Sequence, residues 1–310
     1  MTTGGSDDFP VDDAELLRRM RGSGPRRLFA ASGDEFDRVA GWAARQPPPD
    51  LSAVAGFVIF VGYPRSGHSL VGALLDAHPE IAIAHELDVL QLHAAGLDRN
   101  QILTLLLENS RRLGRLGRRW GEYDYHVPGG AQGRWTRLRL VGDKRGGETS
   151  RRLAGDPEAI DRFGRMIGMP LRFLHVVRDP ADTAATMVRR ARARPGSADE
   201  PEARLLGRSL THYAHLARAN ARFLARTDPA HVRTLWHEDF VADPRAGLAG
   251  LCRFLGVGTD AAYIEACASV VAPSPRRTRD TVTWADAHRA TFDRIVRLAP
   301  FLARYAGSLP

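Results

Sequence analysis

Cysteine is nearly absent: only Cys252 and Cys267 occur in 310 residues, both among apolar neighbours at helix-like spacing, and no CxxC pair exists. Buried free thiols are expected rather than a disulfide, and zinc-finger spacing is missing. The N-terminus MTTGGSDDFPVDD has none of the basic, apolar and small-residue succession of a signal peptide. The longest apolar run, Leu51 to Tyr63, falls well short of a membrane span. No contiguous basic tail argues for nucleic acid, and no repeat or low-complexity tract appears. His212 and His215 have no third ligand nearby in sequence, so no metal site is expected. A cytoplasmic chain without a membrane span fits these absences.

What is present is a chain that is 44% hydrophobic, enough for one large core with additions, and a formal charge of +8 from 44 Lys and Arg against 36 Asp and Glu. Such a balance suits an anionic ligand, although an Arg-rich proteome would produce it too. Phe57 to Gly62 (FVIFVG) is a continuous apolar stretch of strand length, as a buried parallel strand should be. Similar runs recur at Ile81 to Ala84, Leu138 to Val141, Leu171 to Val177 and Val232 to Trp236, separated by helical or irregular sequence. That alternation predicts an α/β fold with a parallel sheet flanked by helices.

Residues 1–50 carry two short helical patterns, Asp13 to Arg21 and Asp34 to Gln46, before three prolines, and read as a helical appendage to a domain spanning 51–310. Glu202 to Arg226 keeps a 3.6-residue apolar period and predicts a long amphipathic helix. Asp243, Pro244 and Gly256 read as cap, first position and stop of another. Between 97 and 137 an Arg-bearing helix leads into Trp120, Tyr123, Tyr125, Gly129, Gly130 and Trp135. This segment is either a lid over a binding site or an excursion that packs its own aromatics.

The most informative segment is GYPRSGHS, Gly62 to Ser69, between the first strand and the first helix of that domain. Its glycine spacing and terminal Ser69 have the outline of a loop whose backbone N–H groups cradle phosphate. A Walker loop places Lys before the Ser or Thr, and here His68 stands there, so the loop is poorly built for hydrolysing a nucleoside triphosphate. A phosphate-loop kinase acting on a nucleotide or small molecule is the alternative reading.

Tyr63, Pro64, Arg65, Ser66 and Gly67 resemble the 5′-phosphosulfate loop of the sulfotransferases that use PAPS (3′-phosphoadenosine-5′-phosphosulfate). VVRDPADTAAT is similar to that family's 3′-phosphate segment, with Arg178 and Thr186 at the gripping positions. Gly142, Asp143 and Lys144 resemble its short Lys-bearing segment, and Trp236 to Val257 its closing acidic segment and helix. The resemblance implies a P-loop NTPase-like sulfotransferase fold that converts PAPS to PAP. It implies donor contacts from Arg65, Ser66, Gly67, His68, Ser69, Leu70, Arg178 and Thr186, with Arg276 and Arg277 from a late basic loop. The GxxGxWK-like ending of the cytosolic branch is absent.

Arg65 and Lys144 are the cations expected near the leaving phosphate, with Arg65 matching the tyrosylprotein branch of the family. Glu86 follows a DAHP segment at that branch's spacing for the base, and neighbouring His85 is the other candidate, as in the cytosolic branch. Strand alternation is expected to send His85 and Glu86 to opposite sides, so that one serves and the other is structural. No metal is expected in turnover. The acceptor is a hydroxyl or amine of a small molecule, carbohydrate, lipid or peptide, and the sequence leaves a homo-oligomer open.

Overall fold

The structure, a computed structural model, describes residues 8–21, 28–30, 32–120, 123–194, 196 and 199–310. Its centre is a five-stranded parallel sheet in the order β2-β5-β1-β6-β7. The elements run α1 (Asp13–Arg21), α2 (Asp34–Arg45), β1 (Gly56–Gly62), α3 (His68–Asp76), β2 (Ile81–His85), α4 (Val89–Ala94) and α5 (Arg99–Arg115). A two-stranded antiparallel ribbon follows, β3 (Arg119–Trp120) and β4 (Tyr123–Asp124). Then come β5 (Leu140–Lys144), α6 (Gly146–Gly155), α7 (Ala159–Ile167), β6 (Leu171–Val177), α8 (Pro180–Arg192) and α9 (Glu202–Arg226). The chain closes with β7 (Val232–Trp236), α10 (His237–Ala242), α11 (Pro244–Leu255), α12 (Ala261–Ser269) and α13 (Asp286–Val296).

Every residue of β1 is buried, because helices cover both sheet faces and a central parallel strand has no solvent side. One face, with Phe57, Ile59 and Val61, packs under α5 and the N-terminal helices; the other, with Val58 and Phe60, packs under α3 and α11. Phe9, Leu16, Met20, Val39 and Trp42 share the first cluster with β1, so the described part of residues 1–50 is a layer of the main core. A third cluster joins Tyr63 and Val177 to α8, α9 and α13. Among the described residues, no helix is long and apolar enough to cross a membrane.

The predicted strand at Leu138 to Val141 begins two residues later and ends three later, at Leu140–Lys144. Its polar end, Asp143 and Lys144, is buried and reads as loop in the sequence. Distant partners compensate that burial: Asp143 accepts backbone N–H bonds from Leu87 (3.1 Å), Asp88 (2.7 Å) and Val89 (3.1 Å). Asp243 caps α11 through the N–H of Ala246, and Gly256 ends it in the left-handed region, as the sequence predicts. Both thiols are free and buried.

Candidate active site

The residues just past the C-terminal ends of all five strands enclose one cavity of about 430 Å³, where ligands of open parallel sheets bind. From β1 comes the loop Tyr63 to Gly67. Gly67 has φ 100°, and a Cβ there would lie 2.6 Å from His237 Nδ1, so glycine alone lets α10 close on the loop. Arg65 is exposed into the cavity at φ 65°. Pro64, Gly67, His68, Ser69 and Leu70 complete the wall, and the first turn of α3 brings N–H groups that lack intrahelical partners.

Two loop side chains turn inward. Ser66, a predicted donor contact, is buried and does not line the cavity: its Oγ donates to Tyr63 O at 2.8 Å and its backbone N–H to the same oxygen at 3.4 Å. The His68 ring lies 3.3 Å from Val61 O through Nε2 and 3.3 Å from Ser66 Oγ through Nδ1. Burial, aided by Lys144, lowers its pKa to about 4. A neutral ring folded under the loop occupies the Walker lysine's place, so it cannot supply that lysine's charge to a terminal phosphate.

At the end of β6, Arg178 is 7% exposed and aimed into the same cavity. Its Nη1 donates to Thr186 Oγ1 and to Arg65 O, both at 3.3 Å; its Nη2 donates to Arg276 O at 2.6 Å and Thr278 Oγ1 at 3.3 Å. The buried Nε has no protein partner, the signature of a guanidinium with a donor left for a ligand. Thr186 Oγ1 sits 2.9 Å from Thr278 Oγ1 and donates to Asp182 O at 2.7 Å. Asp179 does not pair with Arg178: it caps α8 and receives Arg279 Nη1 at 2.6 Å. Tyr213, stacked on Tyr63 at 4.0 Å, donates to Arg178 O at 3.2 Å and braces the strand end from behind.

Of the late basic loop, Ser274, Pro275, Arg276 and Thr278 line the cavity. Arg277, a predicted donor contact, does not: it is exposed and pairs with Asp280 at 3.2 Å. A 3₁₀ turn, Thr278–Thr281, begins directly after Arg277 and carries its partner Asp280, so this run of arginines does not share one direction.

Past β2 and β5 lies the charged centre. Lys144, 2% exposed, donates through Nζ to Glu86 Oε1 at 3.0 Å and to Ser69 Oγ at 3.1 Å, and lies 3.4 Å from His85 Nε2. Gly72 of α3 makes room for its stem, since a Cβ there would stand 2.7 Å from Lys144 Cγ. Burial lowers the Lys144 pKa, and Glu86 works against that. Arg145 Nη1 holds the other oxygen of Glu86 at 2.5 Å. Burial pushes the Glu86 carboxyl up, but Lys144, His85 and Arg145 outweigh it and hold the group far below the ordinary carboxylate range.

The expected split of His85 and Glu86 to opposite sides does not occur. His85 is in register with Lys144 on the neighbouring strand, which brings their side chains together. Glu86 then leaves the strand at φ 56°, and its side chain swings back onto the same Lys144. Only Glu86 reaches the cavity wall; the His85 ring is buried behind it. From segment 97–137, Tyr123, Asp124 and Tyr125 line the cavity, whereas α5 packs through Ile102, Leu103 and Leu106 into the core. His212 also lines it, from α9. Among the described residues, no group of three His, Cys, Asp or Glu is arranged to hold a metal ion.

Residues 170–261, from the start of β6 into α12, match the profile of the sulfotransferase family. Over that stretch, about a third of its length, the chain is similar to the sulfotransferase family. The matched stretch carries Arg178, Thr186 and His237, while the loop at Gly62–Ser69, Glu86 and Lys144 lie outside it. Two solved sulfotransferase structures are similar in fold over most of the chain. The sulfotransferase domain from the Synechococcus PCC 7002 olefin synthase superposes with a TM-score of 0.53 at 17% identity, covering 86% of this chain and 100% of that domain. The sulfotransferase domain from the curacin biosynthetic pathway gives 0.50 at 16% identity, covering 83% and 99%. No curated protein sequence matches the chain at a significant level.

Sequence reasoning missed Arg145, Thr278, Tyr213 and His237. Arg145 follows Lys144 directly, and that adjacency at a strand end was a usable signal. Nothing in the spacing of the others announces them, because each reaches the site from an element far along the chain.

Proposed function

We propose that this protein moves the sulfuryl group of PAPS to a hydroxyl or amine of an acceptor and releases PAP. The observation that carries this reading is Arg178, whose one guanidinium touches the 5′ loop at Arg65 O and the Thr186 and Thr278 cradle, with Nε left over. A ligand with anionic groups at both ends would satisfy the two halves together. The loop Arg65 to Leu70 takes the 5′-phosphosulfate, and Arg178, Thr186, Arg276 and Thr278 take the 3′-phosphate. The acceptor atom attacks sulfur as the bond from sulfur to the bridging phosphate oxygen breaks, and its proton passes to Glu86. Arg65 and Lys144 face the charge that gathers on the leaving phosphate. Tyr123 to Tyr125 cover the acceptor side. The inward His68 disfavours the kinase alternative.

Calorimetric titration of PAP and AMP tests the donor assignment. Charge-assisted bonds contribute roughly 1.5 to 3 kcal/mol each, so Arg178→Ala is expected to weaken PAP about 10- to 150-fold, and Thr186→Ala less. AMP is expected to lose roughly 2- to 12-fold with Arg178→Ala, the equivalent of one neutral bond, because the bond to Arg65 O also supports the 5′ loop. Equal losses for PAP and AMP would remove the 3′-phosphate from the assignment.

A further inference from the structure

We propose that Arg145 is a positioning residue for the base: with Lys144 it clamps both carboxylate oxygens of Glu86 and holds that side chain ionised and aimed at the cavity. The inference rests on the reading of Glu86 as base. Lys144 and Arg145 are consecutive, yet their head groups converge on one carboxylate, at 3.0 Å on Oε1 and 2.5 Å on Oε2. The two cations are not equivalent. Lys144 is divided between Glu86 and Ser69 of the phosphate loop, and the proposed reaction draws it toward the leaving phosphate. Among the described residues, the ion pairs of Arg145 are with Glu86 and with Asp88 at 3.7 Å, so it is the cation that stays with the base.

The support behind Arg145 is built to hold it. Asp88 is 2% exposed and takes a two-point grip from Arg152, at 3.0 and 3.1 Å. Asp143 anchors the backbone of Leu87, Asp88 and Val89, which fixes the turn that carries Glu86. The groups facing Glu86 are His85 from β2, Lys144 from β5, Arg145 at the start of α6 and His68 from α3. Asp88, Asp143, Glu148 and Arg152 stand behind them. Leu28, Phe29 and Ala30 approach from the N-terminal side and bring no ionisable side chain. Removing the positive charge of Arg145 therefore removes one of two direct partners and leaves the nearby carboxylates Asp88 and Asp143 less compensated.

Carbon-13 NMR of protein labelled at the glutamate carboxyls reads this without any acceptor, with Glu86→Gln assigning the signal. In the wild type the Glu86 signal is expected to stay at its carboxylate position throughout the pH range in which the fold persists. Arg145→Gln is expected to raise its midpoint by roughly one to three units, the usual effect of an opposite charge at this distance. Arg145→Lys is expected to restore most of the wild-type behaviour. If Arg145→Gln does not fold, Arg145→Lys is read alone, and a smaller upward shift is expected because its shorter reach draws the charge back from Oε2. An unmoved Glu86 signal in the folded variant overturns the clamp. A moved signal combined with undiminished PAPS turnover by Glu86→Gln would instead overturn the reading of Glu86 as base, leaving the clamp geometry intact but without that role.

Discussion

Glu86 stands where a β-strand ends and the backbone turns into the left-handed region, a conformation that costs a non-glycine residue about 1 kcal/mol or more. The bonds that offset this are long-range: Glu86 N to Lys144 O at 3.2 Å, and the two cations on its carboxylate. The residue's distance from Arg65 in sequence singles it out, but its orientation comes from β5, more than fifty residues away. Glu86→Gln is expected to lower kcat by about 10²- to 10⁴-fold while PAP affinity changes little. Steady-state rates on PAPS beside calorimetry with PAP check this. Near wild-type turnover in Glu86→Gln, together with an inactive His85→Ala, would transfer the role to His85, whose ring touches the same Lys144.

At the scale of elements, the apolar strands were legible and the polar ends were not. FVIFVG and LRFLHVV read as buried strands because hydrophobic runs of that length have few alternatives in an α/β chain. The end of β5 did not, since burial of Asp143 and Lys144 depends on partners in the 85–89 turn and α3 that no local pattern encodes. The N-terminal helices are a second case: their amphipathic pattern is local, but the surface they cover is not. Trp42 is 7% exposed and meets Phe9 edge-on at 4.9 Å within the cluster that holds β1. Trp42→Ala is expected to destabilise the whole domain by about 3 to 5 kcal/mol in one cooperative transition. Urea unfolding followed by circular dichroism decides it; a loss well below this, or a separate early transition, would make α2 peripheral.

Over the whole molecule, five parallel strands deliver their C-terminal ends to one cavity whose wall holds eight Lys or Arg against three Asp or Glu. Low-dielectric walls of one predominant sign favour a multiply charged anionic ligand. Positive charge for the leaving phosphate is available from Arg65 and Lys144, so PAPS turnover is expected to persist in EDTA and to gain little from magnesium. Activity lost to chelation and restored by magnesium would count against this account of catalysis and return the kinase reading to consideration.

The division between chain and fold follows the range of the forces involved. Hydrophobic periodicity, glycines at forced turns and capping residues act over a few positions, so the sequence alone determined the sheet strands to within three residues, the loop after β1 and the capped helices. The resemblance in the loop and in the strand at Leu171 to Val177 singled out Arg65, Arg178 and Thr186, and the fold brings all three to one cavity. Side-chain direction across elements is a tertiary matter. Register between β2 and β5 placed His85 and Glu86 on one lysine, pairing with Asp280 of the 3₁₀ turn holds Arg277 away while Arg276 lines the cavity, and a strand-end junction set Arg145 on Glu86. Each depends on electrostatic and hydrogen-bonding partners brought together only once the apolar core has formed around them.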